Sequence, residues 1–169
     1  TNIDKQTNTT EHQTDEVVTY ESFEDLGLKE NLLRGIYSCG YEKPSVIQQK
    51  AIKPFIDGGD LIAQAQSGTG KTATFSIGSL QRIDPNKGTQ SIIISHTREL
   101  AEQIHNVIIS IGQYLKYNIM KLSGGTSVNQ NMEDLRRNRP HIIIATPGRL
   151  LDMLNKRLID YRDLQVIVI

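Results

Sequence analysis

The stretch Asp60-Leu61-Ile62-Ala63-Gln64-Ala65-Gln66-Ser67-Gly68-Thr69-Gly70-Lys71-Thr72-Ala73-Thr74-Phe75-Ser76-Ile77 decides the fold. A short apolar run, Leu61–Ala65, has the length of a strand and enters a turn carrying two glycines. The residues from about 70 to 83 leave that turn with helical character. Glycines let the backbone curl so that successive N–H groups point at one anion. The positive end of the following helix adds to the same point. Ser67, Gly68, Thr69, Gly70, Lys71 and Thr72 therefore form a candidate phosphate-binding loop. Lys71 would reach the β/γ-phosphates, and the Thr72 hydroxyl would hold Mg²⁺ bound with the nucleotide. The strict pattern starts with Gly, and Ala65 stands there instead, so the strand–turn–helix context carries the reading.

Outward from this loop the chain alternates. Strand-like runs are expected at Leu61–Ala65, Ser91–Ser95, Asn118–Leu122, His141–Ala145 and Leu164–Ile169. Helices are expected near 70–83, 98–115, 127–137 and 148–157. Ile92-Ile93-Ile94 and Ile142-Ile143-Ile144 are apolar without alternation, as strands covered on both faces are. The repetition predicts an α/β fold, a parallel sheet flanked by helices, with ligands outside the carboxyl ends of the strands. Upstream, Leu28–Tyr37 has helical spacing, and Val46–Ile52 reads as a second helix with Ser45 as its N-cap. Residues 1 to about 19 are polar, with little to bury, and read as a flexible leader; residues 20–169 read as one domain.

Bulk properties narrow the function classes. Formal net charge is zero, but residues 1–40 hold three basic and eight acidic side chains, and residues 41–169 hold 16 basic and 11 acidic. A mildly basic body permits a nucleic-acid partner without demanding one. No apolar run approaches the roughly 20 residues that cross a bilayer, so no membrane role is expected. One cysteine, Cys39, excludes an internal disulfide and fits a reducing compartment. One cysteine and four scattered histidines make no metal cluster.

Other segments fall at the same sheet edge. Gly40-Tyr41-Glu42-Lys43-Pro44-Ser45-Val46-Ile47-Gln48 pairs an aromatic ring with an amide. The ring can stack on a purine, and the amide can donate to and accept from an adenine edge. Thr97-Arg98-Glu99-Leu100-Ala101, Ser123-Gly124-Gly125-Thr126 and Thr146-Pro147-Gly148-Arg149 each follow a strand. They offer N–H groups, hydroxyls and arginines suited to a sugar–phosphate backbone.

With these motifs in this order, residues 20–169 resemble the DEAD-box RNA helicases. Residues 40–48 look like that family's Q motif, and Phe23 stands where it carries an isolated upstream aromatic. Ala65–Thr72 matches its first motif, initial Ala included. The wording around 27–52 and 60–77 is similar to its translation-initiation members.

The resemblance implies a RecA-like domain of an ATP- and Mg²⁺-dependent RNA helicase, with Lys71 and Thr72 in catalysis. Phe23, Tyr41, Lys43, Ser45 and Gln48 would serve the nucleotide alongside the phosphate loop. Thr97, Arg98, Glu99, Gly124, Gly125, Thr146, Pro147, Gly148 and Arg149 would line a track for single-stranded RNA, read without sequence preference. It also implies a second RecA-like domain, translation-initiation scaffold proteins as partners, a monomeric state, and a cytoplasmic or nuclear location. An ATP-locked RNA clamp in a nuclear RNA-processing complex shares every motif and is the alternative.

His96 replaces the family's usual Pro before Thr97. The acidic motif that would follow Ile169 is not in the sequence, so the chain alone is expected to bind nucleotide weakly and not to turn it over. A GTPase reading needs Asn-Lys-x-Asp, and the nearest run, Asn86-Lys87-Gly88-Thr89, lacks the Asp. A nucleoside monophosphate kinase would need a lid and arginines over two phosphate sites, for which no clear segment exists.

Overall fold

Two of the helices that follow strands start on side-chain caps. In the computed structural model, which describes residues 18–169, all but the last two residues of the expected leader fall outside the described range. A short 3-10 turn, Glu24–Leu26, leads into α1 (Glu30–Ser38), α2 (Val46–Asp57) and α3 (Lys71–Arg82). Then follow β1 (Ser91–Ile94), α4 (Arg98–Ile111), β2 (Ile119–Leu122), α5 (Val128–Asn138), β3 (Ile142–Ala145), α6 (Pro147–Asn155) and β4 (Val166–Val168). Thr97 caps α4 by accepting from the Leu100 N–H at 3.1 Å. Ser127 precedes α5, and Pro147 opens α6 at a position where its missing N–H costs nothing. These short junctions hold the N-termini of α4, α5 and α6 at the carboxyl edge of the sheet.

The four strands are parallel in the order β2-β3-β1-β4, with Ile92 opposite both Ile143 and Ile167. The predicted α/β architecture is present. Side chains alternate faces as the strand repeat requires. Ile93, Ile142 and Ile144 join a core with Leu32, Ile36, Ile77, Leu80, Ile104 and Ile108 from α1, α3 and α4. Ile92, Ile143 and Ala145 join a second core with Leu122, Leu135, Leu150 and Met153. The sheet is covered on both faces, which explains its unalternating isoleucine runs.

Two glycines set the helix spacing. A Cβ on Gly35 would overlap the Ile111 carbonyl, and one on Gly78 would overlap the Phe55 ring. Gly35→Ala is therefore expected to destabilise the chain by about 1–3 kcal/mol, the usual cost of overpacking a tight contact. Its thermal midpoint should fall by roughly 2–4 °C per kcal/mol in a melting experiment.

One predicted element is absent: Leu61–Ala65 forms no strand. Leu61 and Ile62 are exposed, Ile62 fully. The reason lies across the gap. β4 pairs with β1 alone, so its outer edge is bare. A cavity of about 550 Å³ separates it from residues 59–63, lined in part by Phe55, Leu61, Phe75, Val168 and Ile169. Without a neighbour in hydrogen-bonding reach, β-prone residues gain nothing from extending. The remaining boundaries shift by a few residues, the largest at α2, which runs to Asp57 instead of Ile52, and at α4, which stops at Ile111 instead of 115.

Candidate nucleotide and RNA site

The phosphate loop is built by backbone geometry that only glycine adopts freely. Gly68 and Gly70 have φ of 79° and 95°, and Gly70 is the residue from which α3 departs. Lys71 is the first residue of α3, and its ammonium donates across the loop to the Ala65 carbonyl. Thr69 Oγ1 donates to the Gln66 carbonyl at 2.7 Å, and Thr74 Oγ1 to the Gly70 carbonyl at 2.9 Å. An anion entering here would meet the N-terminus of α3 and replace Ala65 as the partner of Lys71. Thr72 is half-buried, and both it and Lys71 line the 550 Å³ cavity.

Residues 45 and 48 are fastened to this loop. Ser45 Oγ donates to the Thr69 carbonyl at 2.8 Å. Gln48, only 2% exposed, accepts from the Ser45 N–H at 2.9 Å through Oε1 and donates to the Gly70 carbonyl at 3.3 Å through Nε2. Both ends of the amide are thus engaged with protein, which fixes its plane and leaves one Nε2–H and one Oε1 lone pair for a base edge. Tyr41 is half-buried, and burial is the main cause that pushes its hydroxyl above the ordinary tyrosine range. Lys43 is exposed. Phe23 is fully buried in the main core, edge-on to Tyr37 with ring centres 6.2 Å apart. Its ring therefore offers no open face to a ligand.

The other expected residues assemble along the same edge. A Cβ on Gly124 would lie 2.9 Å from Arg98 Nη2, and one on Gly125 would lie 3.0 Å from Nη1. The glycine pair makes room for the Arg98 guanidinium, joining the β1–α4 and β2–α5 junctions. Glu99 is exposed in the first turn of α4. Thr146, Pro147 and Gly148 form the β3–α6 junction, with open space beside Gly148. Arg149 donates to Asn131 Oδ1 through Nη1 and to the Thr126 carbonyl at 3.0 Å through Nη2. Asn131 was not among the expected site residues, and Thr126 stood only at the end of the Ser123–Thr126 segment. The available signal was an asparagine inside a helical run, where its propensity is poor. Among the described residues no group of three or more His, Cys, Asp or Glu side chains is placed to hold a metal.

Known proteins share this arrangement. The model of the DEAD/DEAH box helicase family matches residues 45–169. ATP-dependent RNA helicase eIF4A from Neosartorya fischeri is 49% identical over 150 residues, covering 88% of this chain and 37% of that protein. The Chaetomium globosum protein of the same name is 51% identical, covering 89% of this chain and 38% of that protein. A DEAD box protein from Methanococcus jannaschii superimposes with a TM-score of 0.83 at 34% identity, covering 89% of this chain and 41% of that one. Dbp5 from S. cerevisiae, solved bound to RNA and ADP BeF3, superimposes at 0.78 and 32% identity, over 88% of this chain and 37% of that one. The chain thus spans under half the length of the curated relatives it matches. With a family match over most of its length and the family's motifs gathered on one sheet edge, the chain belongs to the DEAD/DEAH box helicases.

Proposed function

We propose that residues 20–169 form the nucleotide- and RNA-binding RecA-like domain of an ATP-dependent RNA helicase. The observation that carries this reading is the direct fastening of Ser45 and Gln48 to the Thr69 and Gly70 carbonyls of the phosphate loop. An adenine-side segment and a phosphate-side segment that share hydrogen bonds can respond to one nucleotide. ATP with Mg²⁺ supplies the phosphoryl group; the protein's part is to bind and orient it. Lys71 and the N-terminus of α3 would hold the phosphates, the Thr72 hydroxyl would hold the metal that comes with them, and Tyr41 would offer a face to the base. Arg98 and Arg149, on adjacent junctions, take RNA phosphates, which gives contact with the backbone and little sequence preference.

The full cycle rests on a second RecA-like domain of a longer polypeptide, and its expected outcome is local separation of short duplexes. The similarity to the eIF4A proteins supports a role in translation initiation in the cytoplasm, with scaffold proteins of that process as partners. Among the described residues no helix is long and apolar enough to cross a membrane.

The test is a calorimetric titration of ADP and GDP into wild type and Gln48→Ala. ADP should bind more tightly than GDP. Gln48→Ala should weaken ADP by roughly five- to tenfold, the worth of one or two neutral hydrogen bonds at about 0.5–1.5 kcal/mol each. Equal affinity for the two nucleotides would remove the adenine assignment.

A further inference from the structure

We propose that Asn131 is the positioning residue for Arg149, and that it is an amide so that the guanidinium stays uncompensated for an RNA phosphate. The proposal rests on the RNA-track reading above. Asn131 is 3% exposed on α5, where a buried polar side chain needs a partner and an apolar one would suit the helix better. Its Oδ1 accepts from Arg149 Nη1, while the Thr126 carbonyl takes Nη2 at 3.0 Å. Two acceptors on two nitrogens fix the plane of the guanidinium and leave three of its five N–H donors free. A fixed plane is what bidentate contact with a phosphate requires.

Both acceptors are neutral. Among the described residues the ion pairs involve Lys53, Lys87, Lys121, Lys156 and Arg162, and none involves Arg149. Arg162 shows the contrasting case, its charge spent on Asp160 at 2.6 Å. Asn131 therefore orients Arg149 without neutralising it. The contact also ties the β3–α6 junction to α5, so the two arginine-bearing junctions are braced by the same β2–α5 segment: Gly124 and Gly125 under Arg98, Thr126 and Asn131 on Arg149.

The experiment follows fluorescence anisotropy of a short oligouridylate across a salt series for wild type, Arg149→Ala, Asn131→Ala and Asn131→Asp. Asn131→Asp is an isostere that keeps the acceptor but adds a carboxylate. Its slope of log K against log salt should become shallower by about 0.7, as should that of Arg149→Ala, the signature of one lost single-strand phosphate contact. Asn131→Ala should weaken binding severalfold with its slope nearly unchanged, because the cation remains but is no longer aimed. A helix-bracing asparagine with no electrostatic role would leave the Asn131→Asp slope at the wild-type value, and that result, with Arg149→Ala still shifted, overturns the proposal alone. Wild-type affinity in Asn131→Ala overturns it too. If wild type fails to bind, or Arg149→Ala binds like wild type, the RNA-track reading itself falls and takes the assignment of Asn131 with it.

Discussion

Lys71→Ala is expected to weaken ADP binding by about 10- to 100-fold while leaving the melting temperature of the ligand-free chain nearly unchanged. The side chain is exposed and makes one hydrogen bond, to the Ala65 carbonyl within the same loop. Losing that exposed contact costs the fold little. In the nucleotide complex the same ammonium faces phosphate oxygens, and a hydrogen bond to a charged group contributes about 1.5–3 kcal/mol. That range converts to the stated factor at about 1.4 kcal/mol per decade. The Ala65 contact opposes binding slightly in wild type, since it must break, and its neutral acceptor makes it the weaker of the two. Thermal shift gives a direct reading. Ligand at 100 times Kd stabilises by about 2.7 kcal/mol, and a full 100-fold loss of affinity reduces this to about 0.4 kcal/mol. A Lys71→Ala chain with the wild-type ADP shift would show that the loop binds no phosphate.

Gly70→Ala should act on the fold and the site together. The residue sits at φ 95°, where a side chain costs roughly 1–2 kcal/mol. Its new Cβ would also lie 2.5 Å from Gln48 Nε2 and 3.3 Å from Ser45 Oγ. Because Gln48 is buried and capped by the Ser45 N–H, it cannot swing aside freely. The combined expectation is a loss of about 2–4 kcal/mol in urea unfolding and no measurable ADP binding. The double variant Gly70→Ala/Gln48→Ala separates the causes. Removing Gln48 removes the collision but not the backbone strain, so the two changes should be less than additive by about 1 kcal/mol. Strict additivity would mean that Gln48 and Gly70 do not press on one another.

These two positions show which parts of the site the sequence discloses. Gly70 and Lys71 were legible because a phosphate loop is a local device, written within eight residues between one element and the next. The strand-to-helix junctions at Thr97 and Thr146 were legible for the same reason, and so was the parallel sheet, whose isoleucine runs carry the mark of two covered faces. The fastening of Gln48 to the Gly70 carbonyl spans 22 positions and depends on how α2 packs against the loop. The grip of Asn131 on Arg149 spans 18. Each contact joins residues on different elements, so a periodicity read within one element does not disclose its partner. Phe23 reads as a ligand-side aromatic by its place in the motif order, yet packing with Tyr37 draws it inside. Leu61–Ala65 failed for another reason. Strand formation is a property of a pair, and composition describes only one member.

The bare outer edge of β4 has a consequence for how the protein behaves in concentrated solution. A row of unpaired backbone donors and acceptors lies beside Ile167, which is 59% exposed. No lysine, proline or bulge interrupts Val166–Val168, the devices by which natural sheets blunt such a margin. With formal charge balanced at neutral pH and a sequence pI near 6.8, long-range repulsion between molecules is weak there. The edge is thus a template for intermolecular β-pairing, and its stickiness should be greatest near pH 7. Moving the buffer two units away from the isoelectric point would keep the molecules apart.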